Sequence, residues 1–211
     1  MPKTLLIAAA LAAAGATLPA HAVLATDAAQ IGSAALIDFD GYDGLRTTGP
    51  EALSRRVTFN GDAGSELGAF VRDLGDNGAW GAGGRFAAGG FNGELRFLFD
   101  GTTRAAGGFV NHYAGAGLPF ALAVTAYGRG GEVLETHTVT VDSAFDSYNE
   151  GLFVGIARAQ RDIQALAFKG SSVVLDDFAH SLPVPEGDRA AMLLAGLGVI
   201  GLLLRRRPPR A

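Results

Sequence analysis

The central part of this chain consists of short apolar runs separated by glycine-rich gaps, and this pattern constrains its fold more than any other feature. The runs are rich in β-branched and aromatic residues, and several alternate with the period of two expected for a strand with one buried face. Leu95, Phe97 and Phe99, for example, fall on one face of such a run. The pattern predicts strands over residues 35–39, 56–59, 94–99, 109–111, 120–127, 133–141, 152–156, 163–168 and 173–178.

The gaps carry turn residues rather than helical patterns. Residues 128–131 read Gly-Arg-Gly-Gly and predict a hairpin turn between two strong strands, in the second of which Val139 and Val141 alternate with Thr138 and Thr140. No helical pattern of useful length occurs inside the domain. About nine closely spaced strands without crossover helices predict an all-β fold, a two-sheet antiparallel sandwich with jelly-roll topology.

Residues 61–93 depart from this pattern, because they hold eleven glycines in thirty-three residues. We expect mostly loop here, with a short strand at 69–72. Long loops on sandwiches often carry binding sites, so Trp80 in this segment is a candidate for stacking on a sugar ring, together with Tyr113 and Tyr148. The alternative is a surface excursion with Trp80 packed over the edge of a sheet.

The N-terminus predicts an export signal. Lys3 precedes an almost unbroken apolar run over residues 5–16, and the segment closes on Ala20-His21-Ala22. A short basic region, a short apolar stretch and an Ala-x-Ala exit are typical of a cleaved signal peptide. We predict a signal peptide with a helical core over residues 1–22, so that residues 23–182 form the mature domain. A buried helix at the start of a domain is the alternative.

The C-terminus carries a second apolar segment. Residues 190–204 contain no charge and are followed by Arg205, Arg206 and Arg207. Apolar side chains point all round this segment, unlike those of an amphipathic surface helix. Since about twenty apolar residues span a relaxed bilayer, we predict a short transmembrane helix over 189–204 with a basic end over 205–210. Basic clusters stay on the cytoplasmic side, which would leave the domain outside.

Val184-Pro185-Glu186-Gly187, followed by the apolar segment and the arginines, resembles the PEP-CTERM sorting signal. In that family a membrane-embedded transpeptidase-like enzyme, an exosortase, recognises and processes the tails of exported proteins in Gram-negative bacteria that build exopolysaccharide-rich biofilms or flocs. The usual motif is Pro-Glu-Pro, and Gly187 occupies its third position here. The resemblance implies a sorting tail over 183–211, with exosortase and the secretion machinery as partners.

Three segments of the domain also resemble domains found ahead of such tails. They are the strand over 37–41, the strand pair over 124–136 and the closing strand over 175–178. This second resemblance implies a sandwich similar to carbohydrate-binding modules.

The charge of the domain excludes some functions and suggests a metal. Residues 23–186 hold 20 Asp and Glu against 11 Lys and Arg, which argues against binding to nucleic acid and to anionic membrane surfaces. The chain has no cysteine, so its stability must come from the core, with or without a metal. Acidic residues cluster on the first and last predicted strands, which are commonly neighbours in a jelly roll, and Ca²⁺ takes six to eight oxygen ligands. The candidate ligands are Asp38, Asp40, Asp43, Asp176 and Asp177. A solvated acidic face is the alternative.

The sequence predicts no catalytic motif. His112, His137 and His180 are scattered without metal-ligand spacing, and the sequence has no nucleophile elbow. We therefore expect a protein that is not an enzyme, with a structural or adhesive role at the cell surface or in an exopolysaccharide matrix. A carbohydrate-binding module is the second hypothesis, and a secreted hydrolase is the third.

Overall fold

The computed structural model describes residues 22–39, 47–67, 87–89, 93–112, 120–141, 151–171, 173–183 and 195–196, and the backbone alone at 87–89, 112 and 120. The predicted signal peptide lies outside these residues except for Ala22, the sorting motif and basic end lie outside them entirely, and so do all but two residues of the predicted transmembrane helix. Among the described residues, no helix is long and apolar enough to cross a bilayer.

The described chain consists of short and medium strands with one turn of 3-10 helix. That turn is Ala28–Ile31, and its N-cap Asp27 accepts a hydrogen bond from the Ala29 backbone N–H at 2.8 Å. The strands are β1 (Val23–Ala25), β2 (Ala34–Ile37), β3 (Glu51–Ala52), β4 (Val57–Phe59), β5 (Ser65–Leu67), β6 (Ala87–Gly89), β7 (Glu94–Thr103), β8 (Ala105–His112), β9 (Phe120–Tyr127), β10 (Val133–Val141), β11 (Leu152–Ala157), β12 (Ile163–Gly170) and β13 (Val173–Ser181).

These strands form two antiparallel sheets. The first has the order β1-β11-β8-β13-β6-β5, with β2 also paired to β13, and the second has the order β10-β9-β12-β7-β4-β3. Every pairing in both sheets is antiparallel. The two-sheet antiparallel sandwich predicted from the sequence is therefore confirmed for the described residues.

The core lies between the two sheets and is dominated by phenylalanine. The predicted inward face of β7 is confirmed, since Leu95, Phe97 and Phe99 are all buried. Phe97 stacks on Phe178 of the opposite sheet, with ring centroids 4.2 Å apart. This contact joins the middle strands of both sheets, and apolar burial of this kind is the main stabilising term of a sandwich.

A smaller cluster covers the outside of the first sheet, where the 3-10 turn packs. Its members are Ala25, Ile31, Ala105, Phe153 and Ala179. The backbones of β8 and β11 approach closely beneath it: a Cβ on Gly155 would lie 2.4 Å from the Ala106 carbonyl oxygen. A glycine is therefore required at this point inside a strand.

Strand β13 changes partner in its middle. Residues 174–175 pair with β6, and residues 178–181 pair with β2 along the same edge. Between them Asp177 has a φ of 47°, and the pairing of β13 with β8 shifts register over the same residues. This bulge turns the strand so that two separate short strands can share one edge.

Several local predictions can now be compared with the structure. The hairpin turn at 128–131 is confirmed, with the Gly128 N–H donating to the Glu132 carbonyl at 2.9 Å. Val141 is buried and Val139 half-buried, while Thr138 and Thr140 are exposed, as predicted. The glycine-rich segment holds more strand than expected, because β5 and β6 both fall within it. The short strand predicted over 69–72 lies outside the described residues.

Candidate functional site

Most of the residues singled out from the sequence lie outside the described residues. These include the sugar-stacking candidates Trp80, Tyr113 and Tyr148, the acidic candidates Asp40 and Asp43, the sorting motif Val184, Pro185, Glu186 and Gly187, and the basic residues Arg205, Arg206 and Arg207. The described candidates are Asp38, Asp176 and Asp177.

The three described aspartates lie on neighbouring strands, as expected for the first and last strands of the predicted fold. Ile37 pairs with Phe178, which places the next residue of β2, Asp38, beside Asp177. The Asp177 N–H donates to Asp176 Oδ1 at 2.7 Å. Within the described ranges no group of three or more His, Cys, Asp or Glu side chains is arranged to hold a metal ion. Calcium binding therefore stays a prediction.

A first candidate surface is the outer face of the second sheet. We call it the tyrosine face and define it by Glu94 and Arg96 on β7, Lys169 on β12, and Thr125 and Tyr127 on β9. These side chains share a face because they alternate with core residues such as Phe97, Val124 and Phe168. The Arg96 guanidinium carbon lies 4.5 Å from the centroid of the Tyr127 ring, which is a cation–π contact.

Two alanines on the central strand make this contact between non-adjacent strands possible. Ala165 pairs with Tyr127 and Ala167 pairs with both Thr125 and Arg96. Their small side chains let Arg96 pass over β12 toward β9, and they are buried although they point away from the core. A larger residue at either position would hold Arg96 and Tyr127 apart.

The rest of the tyrosine face is polar. Arg96 Nε donates to Glu94 Oε1 at 2.8 Å, so the guanidinium is fixed from one side. The hydroxyls of Thr125 and Thr136 are 3.1 Å apart, and Thr136, Thr138 and Thr140 continue as an exposed row along β10. Ionic groups, hydroxyls and an aromatic ring are thus presented together on the outer face of one sheet.

A second candidate lies at one end of the sandwich, between the sheets. We call it the end pocket. It is lined by Arg56, Phe99, Asp100, Thr102, Thr103, Arg161, His180, Ser181 and Pro183. The turn before β4, the end of β7, the turn before β12 and the end of β13 bring these residues together.

Hydrogen bonds between the two sheets fix the walls of the end pocket. Arg161 donates from Nη1 to the Thr102 carbonyl at 2.8 Å and from Nη2 to the Leu182 carbonyl at 2.5 Å. The buried hydroxyls of Thr103 and Ser181 lie 2.8 Å apart. The guanidinium of Arg161 therefore has a defined position before any ligand arrives.

Positive charge dominates the electrostatics of the end pocket. Burial lowers the pKa of the Arg161 guanidinium below its ordinary value, and the charges of Arg104 and Arg56 lower it further. Burial also lowers the pKa of His180, and Arg56 and Arg161 act in the same direction, against a backbone hydrogen bond with Ser181. His180 is therefore held toward its neutral form.

The neighbouring Arg158, in contrast, is neutralised by two carboxylates. Its Nε donates to Asp162 Oδ1 at 2.7 Å, and its Nη1 lies 3.4 Å from Glu135 Oε2. The hydrogen bond to Asp162 and the charges of both carboxylates raise its pKa, against the effect of burial. Among the described residues, no comparable ion pair of Arg56, Arg104 or Arg161 with a carboxylate occurs within 4 Å.

Sequence reasoning missed both surfaces. Arg96 and Tyr127 stand on strands that were predicted, but their contact depends on the register of β7, β12 and β9. The alternation of each strand could have placed both side chains on an outer face. The residues that line the end pocket come from turns far apart in sequence, and no sequence motif predicts that Arg56 and Arg161 lie close together.

Comparisons with known proteins give only distant structural similarity. No family model matches the chain, and no curated protein matches it. A DUF4465 family protein from Bacteroides caccae is 9% identical with a TM-score of 0.38, covering 76% of this chain and 94% of that one. The CBM22-1 xylan-binding domain of Paenibacillus barcinonensis Xyn10C is 15% identical with a TM-score of 0.35, covering 70% and 94%. The K2 cleaved adhesin domain of Lys-gingipain is 11% identical with a TM-score of 0.34, covering 77% and 100%. Because every TM-score is below 0.5, these similarities carry no argument about what this chain binds.

Proposed function

We propose that this chain is an exported, tail-anchored surface protein whose sandwich binds carbohydrate on the tyrosine face. The observation that carries the binding role is the Arg96–Tyr127 pair, held over the small residues of β12 on an exposed polar sheet. We therefore rank carbohydrate binding ahead of a purely structural role for this domain.

The chemistry of the tyrosine face suits a sugar. A pyranose ring presents C–H groups on its faces and hydroxyls around its rim, so it needs an aromatic or small apolar contact bordered by hydrogen-bonding groups. Tyr127 supplies the apolar contact. Glu94 and Lys169 add an acceptor and donors, and the exposed threonine row supplies both. The outer face of a sheet, which extends across three neighbouring strands here, suits a polymer chain better than an enclosed small molecule.

The ends of the chain support the proposed delivery to the cell surface. An N-terminal export signal would direct the chain out of the cytoplasm, and the PEP-CTERM-like tail would hold it in the membrane for exosortase. After processing, the sandwich would lie at the cell surface or in an exopolysaccharide matrix or biofilm. A carbohydrate-binding domain has its ligand in such a matrix, so the two halves of the proposal agree.

We assign the sandwich to the jelly-roll topology. The strand orders β11-β8-β13-β2 in one sheet and β10-β9-β12-β7 in the other support this assignment, because consecutive strands repeatedly change sheet. We also propose that the protein is not an enzyme. The tyrosine face supports this view, since the one carboxylate among its five residues, Glu94, is paired with Arg96, and glycoside hydrolysis ordinarily uses two.

Glycan binding by matched aromatic variants tests the proposed ligand class. The full chain, Tyr127→Ala and Arg96→Gln are applied to a glycan array, with Phe109→Ala as the control. Phe109 is an aromatic residue of the first sheet that is 36% exposed, so its loss removes similar apolar surface elsewhere. We expect the control to retain binding and both tyrosine-face variants to lose it. A Trp80→Ala variant tests the stacking residue suggested by the sequence. Binding that none of the tyrosine-face variants changes would contradict the proposed site.

Mass spectrometry of the mature C-terminus tests the proposed sorting. The full chain is expressed in matched hosts with and without exosortase. We expect a cut close to Pro185 and Glu186 only when the enzyme is present. If the tail is left uncut in both hosts, the sorting proposal is wrong and the tail is a plain membrane anchor. If a Gly187→Pro variant is then cut, the glycine at the third motif position is what prevents processing.

A further inference from the structure

The end pocket concentrates positive charge in a domain that is otherwise acidic. Residues 23–186 carry 20 acidic against 11 basic side chains, yet Arg56, Arg161 and His180 all line this pocket. Arg104, in the turn between β7 and β8, adds a third arginine close enough to act on Arg161. Asp100 is the acidic side chain of the lining, and its backbone N–H bonds the Arg56 carbonyl at 2.8 Å.

Arg96 and Arg158 each have a carboxylate within 4 Å, whereas Arg56, Arg104 and Arg161 have none among the described residues. Arg55 and Arg129 also have none there, but Arg56 and Arg104 lie close enough to Arg161 for their charges to act on it. Arg161 uses Nη1 and Nη2 to bond two carbonyls, and a guanidinium has five N–H donors, so donors remain for a ligand. An entering anion would relieve the mutual repulsion of the three arginines.

We propose that the end pocket binds a carboxylate group carried by an acidic glycan. Arg56 supplies an exposed charge, and Arg161 supplies a guanidinium held by two backbone carbonyls. Arginine matches the planar carboxylate because two parallel N–H groups can bond its two oxygens.

The size of the end pocket favours a small charged group. It has room for about one water-sized group, so it can admit a carboxylate but not a whole sugar ring. Arg56 and Arg161 are exposed, so they can reach a carboxylate that stands partly outside the pocket, whereas His180 is only 5% exposed.

The choice of a glycan as the carrier of the carboxylate rests on the proposed function, whereas anion binding itself does not. The end pocket and the tyrosine face are separate surfaces, since neither shares a lining residue with the other. One polymer could therefore place an acidic unit at the end pocket and a neutral segment on the tyrosine face.

Calorimetric titration of the full chain in a neutral detergent tests the proposal. The probes are the tetramers of galacturonate and glucuronate and their fully methyl-esterified forms, which remove the charge but keep the sugar. The variants are Arg56→Gln in the end pocket and, as the control, Arg129→Gln in the exposed β9–β10 turn. We expect an acidic tetramer to bind at least tenfold more tightly than its ester, and Arg56→Gln to weaken binding by about tenfold or more. Arg129→Gln should bind as the unchanged chain does.

A second readout locates the bound anion. NMR titration of His180 should show its pKa rising when an acidic tetramer is bound, because the anion offsets the arginine charges beside it. Tyr127→Ala should leave acid binding intact, so a failure of the tyrosine face can be told from a failure of the end pocket. The proposal is wrong if no acidic tetramer binds, if acid and ester bind equally, or if Arg129→Gln weakens binding as much as Arg56→Gln. Binding restricted to phosphatidylglycerol vesicles would also overturn it.

Discussion

Truncation of Phe97 should destabilise the sandwich more than any comparable change at its surface. Phe97 is fully buried, and its ring contacts Phe178 at 4.2 Å and Phe59 at 5.7 Å between centroids. Phe→Ala changes in cores cost about 3–5 kcal/mol, and the ring contacts place this one near the upper end, so we expect about 4–5 kcal/mol. For a domain of about 160 residues this corresponds to a fall in Tm of roughly 8–20 °C.

Urea unfolding of a fragment covering residues 23–183 measures this loss. Phe109→Ala is the matched control, because Phe109 is 36% exposed and makes a T-shaped contact with Phe153 on the outside of the first sheet. We expect the control to lose about 1–2 kcal/mol. Equal losses in the two variants would refute the reasoning, since Phe97 would then not lie at the centre of a packed core.

Three further predictions concern the end pocket and the aspartates. Ser181→Ala should cost about 2–3 kcal/mol in urea unfolding, because two backbone N–H groups and a buried hydroxyl lose the Oγ atom that they contact. The control Ser54→Ala, at an exposed turn, should cost under about 0.5 kcal/mol. Equal losses of stability in the two variants would contradict the buried hydrogen-bonding role given to Ser181. Since the folded pKa of His180 lies below the ordinary 6.5, its contribution is fully present above that pH and is lost as the pH falls through 6.5 toward the folded pKa. The His180→Gln variant should therefore show a weaker fall in stability over this window, and parallel profiles would contradict it. Millimolar calcium should raise the Tm, less so in Asp38→Asn and Asp177→Asn, and an unchanged Tm would remove the calcium prediction.

The sequence predicted the strands whose side chains alternate, because alternation reflects burial of one face. Residues 94–99 show this most clearly, with Leu95, Phe97 and Phe99 all buried as expected. The first half of β8 was missed because it contains Gly107 and Gly108, which resemble a loop in sequence. Gly107 is required by packing instead, since a Cβ there would lie 2.8 Å from the Gly155 backbone.

The candidate surfaces were less predictable than the strands, because they depend on register and on turns. Arg96 and Tyr127 can make contact across β12 only because the residues between them, Ala165 and Ala167, have small side chains. Arg56 and Arg161 line the same pocket because the turns that precede β4 and β12 lie at the same end of the sandwich. The neighbouring first and last strands were anticipated from topology, but the left-handed backbone at Asp177 was not, since Asp adopts it only where the bulge requires it.

The central claim is that the tyrosine face binds carbohydrate, and NMR mapping of a bound oligosaccharide tests it most directly. A neutral oligosaccharide selected on the glycan array is titrated into isotope-labelled protein, and backbone shifts are followed at every assigned residue. The account predicts that shifts concentrate at Arg96, Thr125, Tyr127 and Lys169, with Phe109 unaffected. Shifts concentrated on the first sheet, or none at saturating sugar, would contradict it.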